Sequence, residues 1–164
     1  MKNRGFTFLE IITLLAILSI ITIFASPRLF SPPAVRAYYA VRKMGSDVRY
    51  AQLLAIERQA RTRVVFNAAT DVYQVERETT PNTWVLATHP STRTNYVVNF
   101  NVKDYTGVDV TTVSLNGGSS VIFDSYGRPF RSTGAALTEP AYVDLNGGAY
   151  RLNFRAETGK VDIS

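Results

Sequence analysis

The chain has 164 residues with 18 Lys+Arg, 13 Asp+Glu, one His and no Cys, and 46% of it is hydrophobic. That length and composition suit one modest folded domain rather than a disordered chain. The absence of cysteine excludes disulfides, thiolate metal sites and Cys nucleophiles, and a lone His89 leaves no partner for zinc or Ser-His pairings.

Residues 6–25 carry one charge, Glu10, and as a helix would rise about 30 Å, the thickness of a bilayer's hydrocarbon core. The uncharged polar residues of the run, Thr7, Thr13, Ser19 and Thr22, can bond back to helix carbonyls. Lys2 and Arg4 precede it, so the positive-inside rule leaves the N-terminus in the cytoplasm and sends the rest outward. Three readings compete. The first is a plain signal anchor. The second, a removable secretory signal peptide, needs small residues at a cut after the run, and Ala25 between Ile23 and Pro27 supplies a poor one. The third accounts for Glu10, a carboxylate that costs a few kcal/mol in lipid unless partnered. If the chain were cut between Gly5 and Phe6, a new α-amino group would lie one helical turn from Glu10, or face Glu10 of a neighbouring copy.

Arg4-Gly5-Phe6-Thr7-Phe8-Leu9-Glu10, followed by the apolar run and Pro27, resembles the class III signal of type IV prepilins and type II secretion pseudopilins. The resemblance implies removal of 1–5 as a leader by a prepilin peptidase at the inner membrane and N-methylation of Phe6. It also implies a 6–26 transmembrane helix, and a role for Glu10 in assembly through the N-terminal amine of an adjacent subunit.

Residues 27–61 read as a juxtamembrane amphipathic helix with a proline break. Pro27, Pro32 and Pro33, with Ser26 and Ser31 as N-cap candidates, place a kink or break between Ala25 and Ala34. Beyond it Ala37, Val41, Met44, Val48, Ala51 and Ala55 recur at spacings of three and four as one apolar stripe, whose small outer half would let a sheet approach. Tyr39, Tyr50 and Leu53 fall on another face, either as scattered surface residues or as a contact with neighbouring helices in a filament. Residues 34–63 carry seven basic against two acidic residues, whereas 64–164 carry eight against ten. The basic character therefore belongs to the leader and this helix, where it suits anionic lipid or acidic neighbours.

Residues 62–164 form a β-rich head. Strands are expected at 62–67, 72–76, 83–87, 96–102, 108–115, 121–123, 141–145, 149–155 and 161–163, with turns between them such as Pro81-Asn82, Tyr126-Gly127 and Thr158-Gly159. Leu115-Asn116-Gly117-Gly118 with Phe123 is echoed by Leu145-Asn146-Gly147-Gly148 with Phe154, which reads as two hairpins each anchoring an inward Phe. The fold class is α+β: a long N-terminal hydrophobic/amphipathic helix packed on an antiparallel β-sheet head. Arg63-Val64-Val65-Phe66, the stretch Val121-Ile122-Phe123-Asp124-Ser125-Tyr126-Gly127-Arg128-Pro129 and the terminal Gly159-Lys160-Val161 extend the resemblance to the GspH/FimT group of type IV pilin-like minor pseudopilins.

The resemblance implies a structural subunit of a type II secretion system, at or near the tip of a periplasmic pseudopilus. Its partners would be the inner membrane, prepilin peptidase, other pseudopilins and an exoprotein. The alternative is a FimT-like minor pilin of a type IV pilus that takes up DNA, with Arg128 and Arg131 flanking Phe130 as phosphate contacts near Arg151, Arg155 and Lys160. No phosphate loop or nucleophile elbow occurs, and no enzyme activity, cofactor or metal is expected. Asp144 and Asn146 read as turn residues rather than calcium ligands, and His89 as a loop residue.

Overall fold

The computed structural model describes residues 7–29 and 33–164, those from 22 to 29 as backbone. The chain divides into two compact units, Met1–Pro32 and Pro33–Ser164. In the first, helix α1 spans Phe8–Leu29 and continues through Pro27. Helix α2 opens the second unit and spans Pro33–Arg58, with Pro33 at the first helical position, where its missing N–H costs nothing. Ser31 and Pro32 lie outside the described residues.

All six members of the expected stripe of α2 (Ala37, Val41, Met44, Val48, Ala51 and Ala55) are fully buried. They face two antiparallel sheets. Among the described residues, the first sheet has the order β3-β2-β1-β6-β7, with β4 also on β2, and the second β10-β9-β8-β5. The strands are β1 Thr62–Asn67, β2 Val72–Thr80, β3 Thr83–Leu86, β4 Val97–Asn99, β5 Val110–Ser114, β6 Ser120–Phe123, β7 Pro129–Arg131, β8 Tyr142–Leu145, β9 Tyr150–Phe154 and β10 Val161–Ile163.

Period-two alternation decides which side chains point inward. Thr62, Val64 and Phe66 of β1 are buried while Arg63 and Val65 are partly exposed. Thr62 is polar but satisfied, its hydroxyl donating to the Ala51 carbonyl at 2.6 Å. That bond needs β1 within reach of the helix backbone, which the small side chains of Ala51 and Ala55 permit. The sheets meet where Phe66 and Phe154 pack edge to face with centroids 6.2 Å apart. Gly45 does the same for the second sheet, since a Cβ there would lie 3.3 Å from Leu152 Cδ1.

The strand expectations need three corrections. The first Asn-Gly-Gly turn does not close a hairpin: Leu115 bridges Gly118, but β5 pairs with β8 and β6 with β1, so the chain changes sheets there. Only the second copy joins paired strands, β8 and β9. The expected strand at 96–102 stops at Asn99, whose side-chain oxygen accepts the Asn101 N–H at 2.7 Å while the Phe100 N–H turns to Asp71 O. Finally, β7 occupies Pro129–Arg131, where the sequence reads as turn chemistry. It is an edge strand, the position at which proline is tolerated.

Candidate functional site

Gly5 and Phe6, the expected cleavage and methylation residues, lie outside the described residues. The next turn holds Glu10. Its carboxylate accepts the Thr7 N–H at 3.4 Å, while the Thr7 hydroxyl accepts the Glu10 N–H at 3.3 Å. This is a reciprocal capping box, and it places a negative charge at the positive end of the helix. Thr7-x-x-Glu10 ahead of an apolar run is a legible signal for it that the reading of Glu10 as an amine partner passed over. No basic side chain pairs with Glu10 among the described residues. Thr13 and Ser19 donate back to carbonyls one turn earlier, at 2.9 Å to Glu10 O and 2.8 Å to Leu15 O.

Phe8, Leu9, Ile11, Ile12, Leu14, Leu15, Ile17, Leu18, Ile20 and Ile21 are all exposed, so α1 is apolar on every side rather than along one stripe. Among the described residues no helix is long and apolar enough to cross a membrane. The described side chains of α1, Phe8 to Ile21, rise only about 21 Å, short of the ~30 Å hydrocarbon core. The expected 6–26 span extends beyond them at both ends.

In the second unit the motif residues around Gly127 and Gly159 converge on α2. Gln52 Nε2 donates to Gly127 O at 2.8 Å and to Thr158 O at 2.7 Å, and Arg49 Nη2 donates to Val161 O at 3.1 Å. Both glycines have positive φ, +78° and +67°, and a Cβ on Gly127 would lie 2.9 Å from Ile56 Cδ1. The late motifs are thus two turns pinned against one helix, with Gln52 between them. Nothing in the sequence singles out Gln52.

The structure answers most of the proposed basic cluster with carboxylates. Arg128 binds Asp124 at 2.7 Å, Arg151 binds Asp144 at 2.6 Å, and Arg155 and Lys160 share Asp162 at 3.2 and 3.1 Å. Arg128 also stands over the Tyr126 ring, 5.3 Å from its centroid, and Arg131 donates to the Ala136 carbonyl. Neutralised in this way, the cluster offers phosphate little net charge. Asp144 is committed to Arg151, and the Asn146 side chain bridges Asp109 N and Gly107 O. No three His, Asp or Glu side chains that could hold a metal ion gather among the described residues. His89 lies in the β3–β4 loop, its Nδ1 accepting the Ser91 and Thr92 N–H groups.

The Arg128–Asp124 pair and a further one, Arg61–Glu78 between the residue before β1 and strand β2, contribute to acid stability. Burial pushes the Asp124 carboxyl up, but the Arg128 N–H and guanidinium and the Tyr126 N–H outweigh it and hold the group below the usual carboxylate range. The Arg61 guanidinium, helped by the Asn82 N–H, holds Glu78 below that range as well. A depressed folded-state pKa contributes stability that is complete above the ordinary carboxylate value and lost as pH falls through the lowered one. Thermal melts of the full chain in detergent should hold between pH 7 and 5 and fall below about pH 4. Asp124→Asn should flatten that acid limb, and an unchanged acid limb would contradict the assignment.

A buried polar network was not anticipated. Asp47, on the buried face of α2, accepts from the Tyr73 hydroxyl at 2.6 Å and from Lys43 Nζ at 2.8 Å. Burial, reinforced by the Asp47 charge, raises the pKa of Tyr73 well above that of a free tyrosine and raises those of Tyr96 and Tyr105 in the same direction. All three phenols stay neutral, and Tyr73 donates its proton to the Asp47 carboxylate.

No family model and no curated protein matches the chain. Its structure is similar to that of the minor pseudopilin EpsH from the type 2 secretion system of Vibrio cholerae, with a TM-score of 0.56 at 11% sequence identity. The match covers 79% of this chain and 96% of that one. The chain therefore has a GspH-like pseudopilin fold, α+β with a helix packed on antiparallel sheets.

Proposed function

We propose that this chain is a minor pseudopilin, a structural subunit of a type II protein secretion system. In this reading 1–5 is a leader removed by prepilin peptidase between Gly5 and Phe6, and Phe6 is then N-methylated. The helix over 6–26 holds the precursor in the inner membrane, N-terminus inward and head periplasmic, before the subunit joins a pseudopilus at or near its tip. The observation that carries the reading is a pseudopilin-like head on a chain whose first helix is apolar all round except for Glu10 in its first turn. Such a surface needs cover from lipid or from other apolar helices. The protein performs no chemistry of its own, and the head contacts tip partners or exoprotein. The pairing of Arg128 with Asp124 gives the DNA-uptake alternative less support.

N-terminal sequencing of the membrane form should find methylated Phe6, and retention of Met1 in a peptidase-competent cell would overturn the reading. Glu10 has two candidate roles, as helix cap and as partner of the new amine, and Glu10→Gln separates them. The amide keeps a cap acceptor but not the charge. Both Glu10→Ala and Glu10→Gln should be processed yet fail to enter the filament. Normal entry of Glu10→Gln would mean that the cap alone matters.

A further inference from the structure

Opposite the buried stripe, α2 presents a second face. Val35, Tyr39, Arg42, Ser46, Arg49, Leu53 and Ile56 alternate at spacings of four and three, the repeat by which one helix meets another. All seven are exposed, Tyr39 and Leu53 at 64% and 63%. Apolar side chains thus occupy both ends of a seam about 31 Å long, and two arginines occupy its middle.

The arginines are anchored but not neutralised. Arg42 donates to the Tyr38 hydroxyl at 2.8 Å and Arg49 to the Val161 carbonyl at 3.1 Å, which leaves most guanidinium donors open. Neither meets a carboxylate among the described residues, whereas Arg61, Arg63, Arg128, Arg151 and Arg155 all do. A second copy does not fit this seam. Laid parallel, it sets Arg42 on Arg42 and Arg49 on Arg49. Laid antiparallel about the centre, it sets Arg42 on Arg49. Like charges at facing seam positions oppose pairing and are a common device for refusing self-association. A lipid surface fits poorly too, because interfacial helices carry their cations along the polar face and not in the middle of the apolar one.

We propose that this face of α2 docks a helix of a different chain, apolar at both ends of the contact and bearing two carboxylates seven residues apart opposite Arg42 and Arg49. The proposal rests on the assembly reading above, which supplies a neighbouring subunit, and it adds that this neighbour is acidic and is not another copy of the same chain. Arg42 and Arg49 are then the specificity-determining residues of the contact, and the apolar ends provide its area.

The test uses the full chain in its native host, with a photocrosslinking phenylalanine analogue at Ser46 in one variant and at Ile17 of α1 in another. The Ser46 adduct should map to a helical segment of another protein with Asp or Glu at a spacing of seven. Arg42→Glu should lower its yield at least about tenfold, and Arg42→Glu with Arg49→Glu further. Changing the two mapped carboxylates to lysine should restore it, which a misfolded double variant could not do. The Ile17 adduct should persist throughout. A Ser46 adduct with a second copy of this chain, with lipid or with a segment lacking carboxylates overturns the proposal, as does a yield indifferent to charge reversal. Loss of a protein adduct at Ser46 alone overturns this proposal and spares the assembly reading. Loss at both positions overturns both.

Discussion

Asp47→Ala should destabilise the head by about 2–4 kcal/mol, seen as a fall of about 8 °C in the melting temperature of the full chain in detergent. The side chain of Asp47 is 6% exposed and that of Lys43 33%. Removing the carboxylate therefore strands two donors in unequal surroundings. The Tyr73 hydroxyl, fully buried, loses its acceptor and bears a desolvation penalty of about 1–3 kcal/mol. Lys43 can turn part of its charge to water, which keeps the loss below the figure for a fully enclosed pair. Tyr73→Phe should cost less, about 1 kcal/mol, because Asp47 keeps Lys43. Combined with Asp47→Ala it should add almost nothing, since the two side chains act as a unit. Additive losses would show that Asp47 and Tyr73 contribute independently and that the network is not one element. The raised pKa values of Tyr73 and Tyr96 have their own consequence. Stability is complete below about pH 10, where a free tyrosine begins to ionise, and is lost as pH climbs through the higher folded-state values.

Much of this architecture is legible in the chain because local chemistry and tertiary demand agree. The stripe from Ala37 to Ala55 is buried as its spacing requires, and β1 and β10 run over the expected residues. The misreadings share a cause. Leu115-Asn116-Gly117-Gly118 and Leu145-Asn146-Gly147-Gly148 are the same four residues, yet one passes between sheets and the other turns within a sheet. A turn sequence specifies the bend, and which strand receives the chain afterwards depends on partners far away in sequence. The edge strand β7 is hidden for the same reason, since Pro129 and Arg131 carry no strand signal and Val121 and Phe123 supply the register.

The candidate site divides similarly. Glu10 stands out because a charge in an apolar run is conspicuous. Its capping partner Thr7 is legible from the four-residue pattern Thr7-x-x-Glu10 alone. Arg128, Arg131, Arg151, Arg155 and Lys160 leave a phosphate surface open as the alternative to turn chemistry, because composition does not reveal pairing. Asp124, Asp144 and Asp162 reach four of the five across turns and strands. Gln52 and Asp47 have no signal beyond their place on a helix, and both matter through residues more than twenty positions away.

Gly159→Ala should cost about 3 kcal/mol, and Gly147→Ala about 1. Both glycines hold left-handed backbone, at φ +67° and +70°, so each substitution carries the ordinary penalty of roughly 1 kcal/mol for an L side chain there. They differ in what the new methyl meets. At Gly147 nothing lies within 4 Å, whereas at Gly159 a Cβ would fall 2.8 Å from Phe123 Cε1, 3.0 Å from Gln52 Nε2 and 3.3 Å from Gly127 O. Phe123 is fully buried and Gly127 O is backbone, so neither can yield cheaply, and crowding of this kind costs about 1–3 kcal/mol. Gln52 could swing away, but doing so abandons Gly127 O and Thr158 O, the two carbonyls it holds. The excess at Gly159 therefore measures how tightly the two late turns are pinned to α2. Gln52→Ala, which frees those carbonyls without touching a glycine, should cost about 1–2 kcal/mol. With Gln52 already removed, Gly159→Ala should cost visibly less. Equal losses at Gly159 and Gly147 in thermal melts would mean that the turns do not press on the helix, and that the glycine serves backbone conformation alone.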